Sequence, residues 1–467
     1  MEMSMRPLVL APEMALFAGA LVVLLSGSFL RRSRLSATRS VAALALAASA
    51  ALTVLGMTRG TQTAFDDTFV ADHATAVVRV VVAVVVSLML LVAADDVGGS
   101  PREAETYALL LLASTGVLVM SGARDLQVLL VGFLLASIPA YGLVGLERTR
   151  AAAEAAMKTY LLGALAGISL MLGTALLYGV SGETSYVSLT RELAASPSGV
   201  LSAGAVLVVC ALLFEAGAVP AHFWVPDAAQ AAGVTAATFL TTVPKLGAVL
   251  ALSRFVGVLP ATVAWPLLVG VLATLTMTLG NLAAYGQTDV RRLLGWSTVS
   301  QAGYLLVPVA VVGRSPLAEP SLLFYLGAYA VTNVGAFAVA AALPEHRGLT
   351  DYRGLARQRP WLAGSLVVCL LGLVGTPPTA VFIGKLTTAT AAWEGGLPWL
   401  TGAVVLNSLL SLFYYLRWIV PVFGLGSSAG QPFVARTAYG RGARGAAVTV
   451  GLLSLLLGVG AGWLWPA

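Results

Sequence analysis

The sequence predicts an all-α, polytopic membrane protein, a single integral membrane domain over residues 1–467 with about fourteen transmembrane helices. Three observations carry this expectation. The chain is 58% hydrophobic and only 10% charged, whereas a soluble domain carries about 25% charged residues. Its apolar residues fall in runs close to the roughly 20 needed to cross a hydrocarbon core. The runs lack the alternation of a membrane β-barrel, so each span must close its backbone hydrogen bonds as a helix.

The predicted spans run, in order, Val9 to Leu30, Val41 to Gly56, Ala74 to Leu91, Tyr107 to Met120 and Leu126 to Leu146. They continue with Ala155 to Tyr178, Val200 to Ala218, Thr235 to Val256, Ala264 to Ala284 and Arg292 to Val312. The last are Leu322 to Leu343, Leu362 to Ala391, Trp399 to Ile419 and Ala446 to Trp463. The first is read as a retained span, because Arg31, Arg32, Arg34 and Arg39 follow it, whereas a signal peptide carries its basic residues in front.

Arginine placement orients the layout. Alternate loops carry Arg31, Arg32, Arg34 and Arg39, then Arg102, Arg148 and Arg150, Arg291 and Arg292, Arg347, Arg353, Arg357 and Arg359, and Arg436, Arg441 and Arg444. The other side holds the scattered Arg6, Arg59, Arg124, Arg191, Arg254 and Arg314. Basic loops face the cytoplasm, so the N-terminus is expected outside it. The spans leave no soluble domain for a nucleotide or redox cofactor. Cys210 and Cys369 have no partner at metal-ligand spacing and read as small core hydrophobes.

Charge inside the membrane points to function. The lysines are Lys158, Lys245 and Lys385, and all fall within or at the edge of predicted spans, while arginine supplies the basic loops. A charge at mid-bilayer costs about 3 kcal/mol on insertion scales. Arginine keeps its proton, whereas a buried lysine can release one. Snorkelling of the ammonium to the interface is the alternative, and it fits Lys158, early in its span, better than Lys245 or Lys385. Glu154 shares a helix face with Lys158. Glu215, near the end of its span, is an intramembrane acid in need of a partner.

Two spans are interrupted, one at Val219-Pro220-Ala221-His222-Phe223-Trp224-Val225-Pro226-Asp227 and one at Gly375-Thr376-Pro377-Pro378-Thr379. Proline removes a backbone donor and breaks the preceding turn. Freed backbone groups at membrane depth are tolerated where protein or water surrounds them. Paired broken helices are the usual pointer to a transport site between inverted repeats. The expected repeats are two sets of five helices, about 104–257 and about 262–423. His222, beside the first break, reads either as a structural side chain or as a proton relay near neutral pH.

The run FEAGAVPAHFWVPDAAQAAGVTAATFLTTVPKLGAV resembles the central signature of the antiporter-like, proton-translocating membrane subunits of complex I, the NADH-quinone oxidoreductase. QTDVRRLLGWSTVSQAGYLL and EAAMKTYLLGALAGISLMLGTALLYGVSG are similar to the same family, and YRGL, RPWL and GTPPTAVFIGKL resemble its subunit N branch. The resemblance covers nearly the whole chain. It implies fourteen helices with inverted five-helix repeats and a line of protonatable residues across the membrane, driven by redox chemistry in partner subunits. On that basis Lys158, Glu215, His222, Lys245 and Lys385 are expected on the proton path, Glu154 in support, and Pro220, Pro377 and Pro378 at the helix breaks.

The resemblance implies no cofactor on this chain; NADH, FMN, iron–sulfur clusters and quinone belong to partner subunits. It also implies a multi-pass protein of the bacterial inner (plasma) membrane. Two positions depart from the family pattern. Leu134 stands where a glutamate is usual, and Glu215 stands where a lysine is usual. Gln301 stands where many relatives have histidine. Competing readings are an Mrp-type or hydrogenase-linked cation/proton antiporter subunit, or a divergent structural paralogue with a vestigial channel. A metal centre and a nucleophile–base arrangement are not expected.

Overall fold

The computed structural model describes residues 5–195, 199–260, 263–424 and 440–464. Arg436, assigned from sequence to a basic loop, lies outside the described residues. The chain is almost wholly helical. It opens with α1 (Ala11–Phe29) and α2 (Ser36–Met57), followed by a short antiparallel hairpin of β1 (Gln62–Ala64) and β2 (Phe69–Ala71). Next come α3 (His73–Asp96), α4 (Glu103–Gly122), α5 (Leu126–Gly145), α6 (Arg150–Ser181), α7 (Tyr186–Ala195) and α8 (Gly199–Ala216). The middle comprises α9 (Trp224–Ala231), α10 (Val234–Val256), α11 (Trp265–Tyr285), α12 (Val290–Val309) and α13 (Ala318–Ala342). The last are α14 (Leu355–Gln358), α15 (Pro360–Val374), α16 (Ala380–Glu394), α17 (Pro398–Phe423), α18 (Arg441–Val459) and α19 (Ala461–Leu464).

Twelve of these helices are long and apolar enough to cross a membrane by length and composition. The more polar α12 and the broken α15–α16 pair complete the predicted set. α10 and α13 are the most buried of these twelve, and with α12 they form the centre of the bundle. Lipid can be the solvent of α1, α2, α6 and α17, which leave apolar side chains such as Leu25, Leu55, Ile168 and Leu409 on the outside.

The second break falls where the sequence places it, dividing the run Leu362 to Ala391 into two helices with a gap at residues 375–379. Other sequence expectations are corrected. The first interruption occupies residues 217–223, and Trp224–Asp227 already belong to α9. α6 extends further than Ala155 to Tyr178, so Glu154 and Lys158 lie one and two turns inside it. Arg291 and Arg292, read as loop residues, form the first turn of α12, where Asp289 accepts both their backbone N–H groups at 2.9 Å. The hairpin and α7 fall between the predicted spans, because both are too short to register against a membrane-length window.

Arginine is also used inside the bundle. Arg79, on α3, is buried and makes a bidentate pair with Glu13 of α1, both contacts at 2.8 Å, and donates to the Val9 carbonyl at 3.1 Å. Burying such a pair is tolerable because guanidinium and carboxylate satisfy each other in one plane. Near the opposite face of the basic loops, Arg254 of α10 clamps Asp72, the N-cap of α3, at 2.9 and 2.7 Å and donates to the Ser121 carbonyl of α4 at 2.9 Å.

That clamp has a pH signature. Burial raises the Asp72 carboxyl, but the Arg254 guanidinium outweighs it and holds the group below its ordinary value of 3.8. A folded-state value below the unfolded one stabilises at higher pH, and the contribution is lost as pH falls through the lowered value. The thermal stability of the purified assembly below about pH 4 is therefore expected to fall less steeply in Arg254→Met than in wild type. Parallel acid profiles would remove Asp72 from the set of stabilising groups.

Candidate functional site

The first broken helix builds one half of the site. α8 ends at Gly217, whose φ of 69° is the left-handed conformation that favours glycine. A Cβ there would stand 3.3 Å from the Lys245 Nζ and 2.7 Å from a Val225 methyl, so α9 and α10 meet at this glycine. Lys245 lies on α10 and is 0% exposed, and its Nζ has no hydrogen-bond partner among the described residues. Glu215, two residues before the glycine and 3% exposed, accepts a 2.8 Å hydrogen bond from the Ser137 hydroxyl of α5. Glu215 and Lys245 attract each other through the low-dielectric interior without a direct ion pair.

His222 lies in the gap between α8 and α9 and is buried, its ring 4.2 Å from Phe223 and 5.7 Å from Trp296 of α12. Neither of its nitrogens makes a well-formed hydrogen bond; the Pro220 carbonyl is an adjacent acceptor. The Trp224 indole donates to the Phe214 carbonyl at 3.1 Å, which ties the start of α9 back to the end of α8.

The second broken helix repeats the arrangement. α15 ends at Gly375, with φ 88°, three residues before Pro378, just as Gly217 stands three before Pro220. A Cβ on Gly375 would be 2.8 Å from the Lys385 Cδ. Lys385, on α16 and 5% exposed, donates to the carbonyls of Leu373 and Val374 at 3.1 and 2.9 Å. Those carbonyls are left over at the helix end. The ammonium also stands 3.9 Å from the centre of the Tyr304 ring, a cation–π contact. Gln301 donates to the same Leu373 carbonyl at 2.8 Å and accepts from the Tyr325 hydroxyl at 2.6 Å.

Polar side chains of neighbouring helices line the interior around these two breaks, and sequence reading missed them. Tyr329 of α13 donates to the Thr241 carbonyl at 2.5 Å and to Thr298 at 3.2 Å. Asn333 reaches the hydroxyls of Thr241 and Thr242, one turn before Lys245, at 3.1 and 2.9 Å. Ser300 and Tyr414 both donate to Asn281 Oδ1, at 2.8 and 3.2 Å, and Tyr415 bonds to Ser297. Hydroxyls both donate and accept, so this layer can pass protons. The available signal was the polarity of α12, STVSQAGY, which is too wet for a lipid-facing helix.

Lys158 does not join the buried array. Its side chain is 48% exposed and pairs with Glu154 at 2.8 Å and with Asp227 at 2.9 Å. Asp227, absent from the sequence-derived set, also pairs with Arg292 at 2.6 Å. Leu134 faces the outside of α5 one turn before Ser137. Among the described residues, no group of three His, Cys, Asp or Glu side chains could hold a metal ion.

The model of the family "NADH:quinone oxidoreductase/Mrp antiporter, TM" matches residues 123–411. The chain is 58% identical to NADH-quinone oxidoreductase subunit N of Mycobacterium sp. (strain JLS) over 464 residues, covering 99% of this chain and 98% of the relative. The chain belongs to the NADH-quinone oxidoreductase subunit N family. The likeness is equally visible in three dimensions. A chain of respiratory complex I from Thermus thermophilus with bound aureothin superposes with a TM-score of 0.81 at 28% identity, covering 98% of this chain and 99% of that one. A chain of the Mrp complex from Dietzia sp. DQ12-45-1b shares the fold at a TM-score of 0.83 and 22% identity, covering 98% and 95%. In this chain Ser137 of α5 supplies the hydrogen bond to Glu215.

Proposed function

We propose that this chain is the antiporter-like membrane subunit of a bacterial respiratory NADH-quinone oxidoreductase, and that it translocates protons when quinone is reduced in partner subunits. One observation carries the reading: two buried lysines, Lys245 and Lys385, each packed on the left-handed glycine that ends a broken helix. A lysine in such a place is costly when charged and can exist in both protonation states, which is what a proton carrier requires. Glu215 and the hydroxyl layer supply further acceptors, and His222 stands beside the first break.

NADH, FMN, iron–sulfur clusters and quinone are assigned to partner subunits, with the redox energy arriving through contacts with other membrane subunits. The chain is oriented with its N-terminus outside the cytoplasm, from the arginine asymmetry. The shared Gly-Pro spacing of the breaks, and the Asp125 and Asp289 N-caps that each form an isolated bridge to a later loop, support the division into five-helix repeats at about 104–257 and 262–423. The Mrp-type reading rests on the shared fold and on a family model that spans both classes, and the subunit N relative at 58% identity weighs against it.

The test is NADH-driven acidification of inverted membrane vesicles carrying the intact complex. Glu215→Gln keeps the shape and the Ser137 contact but loses the titratable group. Fewer protons moved per electron than in wild type is the expected result. An unchanged ratio would take Glu215 off the path.

A further inference from the structure

Half-helix α9 is held along its length by charge. At its first turn, Asp227 accepts from Lys158 of α6 at 2.9 Å and from Arg292 of α12 at 2.6 Å. Arg292 also reaches the Gln230 side chain at 3.1 Å. The preceding Arg291 donates to the Ala232 carbonyl at 3.0 Å and to the Gln230 carbonyl, at the other end of α9. Gly295, one turn further along α12, lets the helices touch: a Cβ there would be 2.7 Å from the Pro226 Cα.

We infer that Asp227 is a positioning residue that locks α9 between α6 and α12, and that Lys158 acts through it as a fixed cation and not as a proton carrier. The inference rests on the translocation reading above. Lys158 is half exposed, and its ammonium is held by two carboxylates, Glu154 and Asp227. A carrier must give its proton up, and paired carboxylates favour keeping it. Its pairing runs to α9 and not to Glu215, which is bonded to Ser137. The position of α9 matters to the proton site because Val225 of α9 and the Lys245 ammonium converge on Gly217. Trp224 further couples α9 to the Phe214 carbonyl beside Glu215. A loosened α9 therefore changes the walls around Lys245 and Glu215 without altering either residue.

Arginine separates the two roles, since it can hold Asp227 but does not release a proton. The experiment compares Lys158→Arg, Lys158→Met, Asp227→Asn and the double variant Lys158→Met/Asp227→Asn, in the intact complex in inverted vesicles. The readout is NADH-driven acidification at matched electron-transfer rates. Lys158→Arg is expected to stay close to wild type. Lys158→Met and Asp227→Asn are expected to lower the ratio by about two-fold, and the double variant to be no lower than Asp227→Asn alone, as for residues sharing one interaction.

Lys158→Arg falling to the level of Lys158→Met would overturn the inference and make Lys158 a carrier. Lys158→Met indistinguishable from wild type would overturn it as well, by removing any role. Both Lys158 variants sit on an exposed side chain, so they decide the matter even if Asp227→Asn fails to assemble. Failure of the translocation reading has a different signature: Lys245→Met would then leave acidification unchanged.

Discussion

Gly375→Val is expected to abolish the share of proton translocation that passes through Lys385 and to reduce the amount of assembled protein in the membrane. Two penalties act together. The backbone at this position has φ 88°, where a β-branched residue is a genuine outlier and an L side chain costs about 1–2 kcal/mol. The new Cβ would also stand 2.8 Å from the Lys385 Cδ, so the lysine must move off the Leu373 and Val374 carbonyls. The Val374 carbonyl would then be buried at a helix end without its donor, while the Leu373 carbonyl would keep only Gln301. Gly375→Ala carries a smaller version of both penalties and is expected to fall between wild type and valine. Immunoblots of membranes and acidification per electron check the two effects separately. Normal pumping by the valine variant would mean that the contact with the end of α15 is incidental.

The second large effect is at Lys245. Lys245→Met preserves an unbranched chain of similar length but removes the titratable group at the Gly217 wall. It also leaves Glu215 buried with Ser137 and without the neighbouring positive charge. Loss of this chain's proton translocation is the expected outcome. Lys245→Arg is expected to fail in the same way, because guanidinium does not deprotonate in proteins. That is the reverse of the expectation for Lys158→Arg. A single substitution type, applied to two lysines of one chain, thus separates a carrier from a fixed cation.

Much of this was legible in the residues, for identifiable physical reasons. Membrane-length apolar runs are long and nearly unbroken, so the fourteen crossings lie within a few residues of helices between α1 and α18. The breaks were legible because Pro220, Pro377 and Pro378 cannot continue a helix, and Lys245 and Lys385 because an ionisable group in an apolar run is conspicuous. What escaped was what depends on distant pairing. Arg79 meets Glu13 across 66 residues, and Asp227 meets Lys158 and Arg292 across 69 and 65; local pattern carries no trace of either. Its early place in the span sets Lys158 apart from Lys245 in sequence, but its partners do not show there, because they depend on which face of the helix points inward. The polar layer of Thr241, Thr298, Tyr329 and Asn333 escaped for the same reason: single polar residues on several helices become a layer only when the helices pack.

The most direct measurement of the central claim is the number of protons moved per electron in inverted vesicles driven by NADH, wild type against Lys245→Met, at matched rates of electron transfer. A lower ratio in the variant, with the complex assembled to the same level, is the expected result and places Lys245 on a working proton path. An equal ratio with equal electron transfer would contradict it, and the chain would then be a structural subunit whose buried lysines do not carry protons.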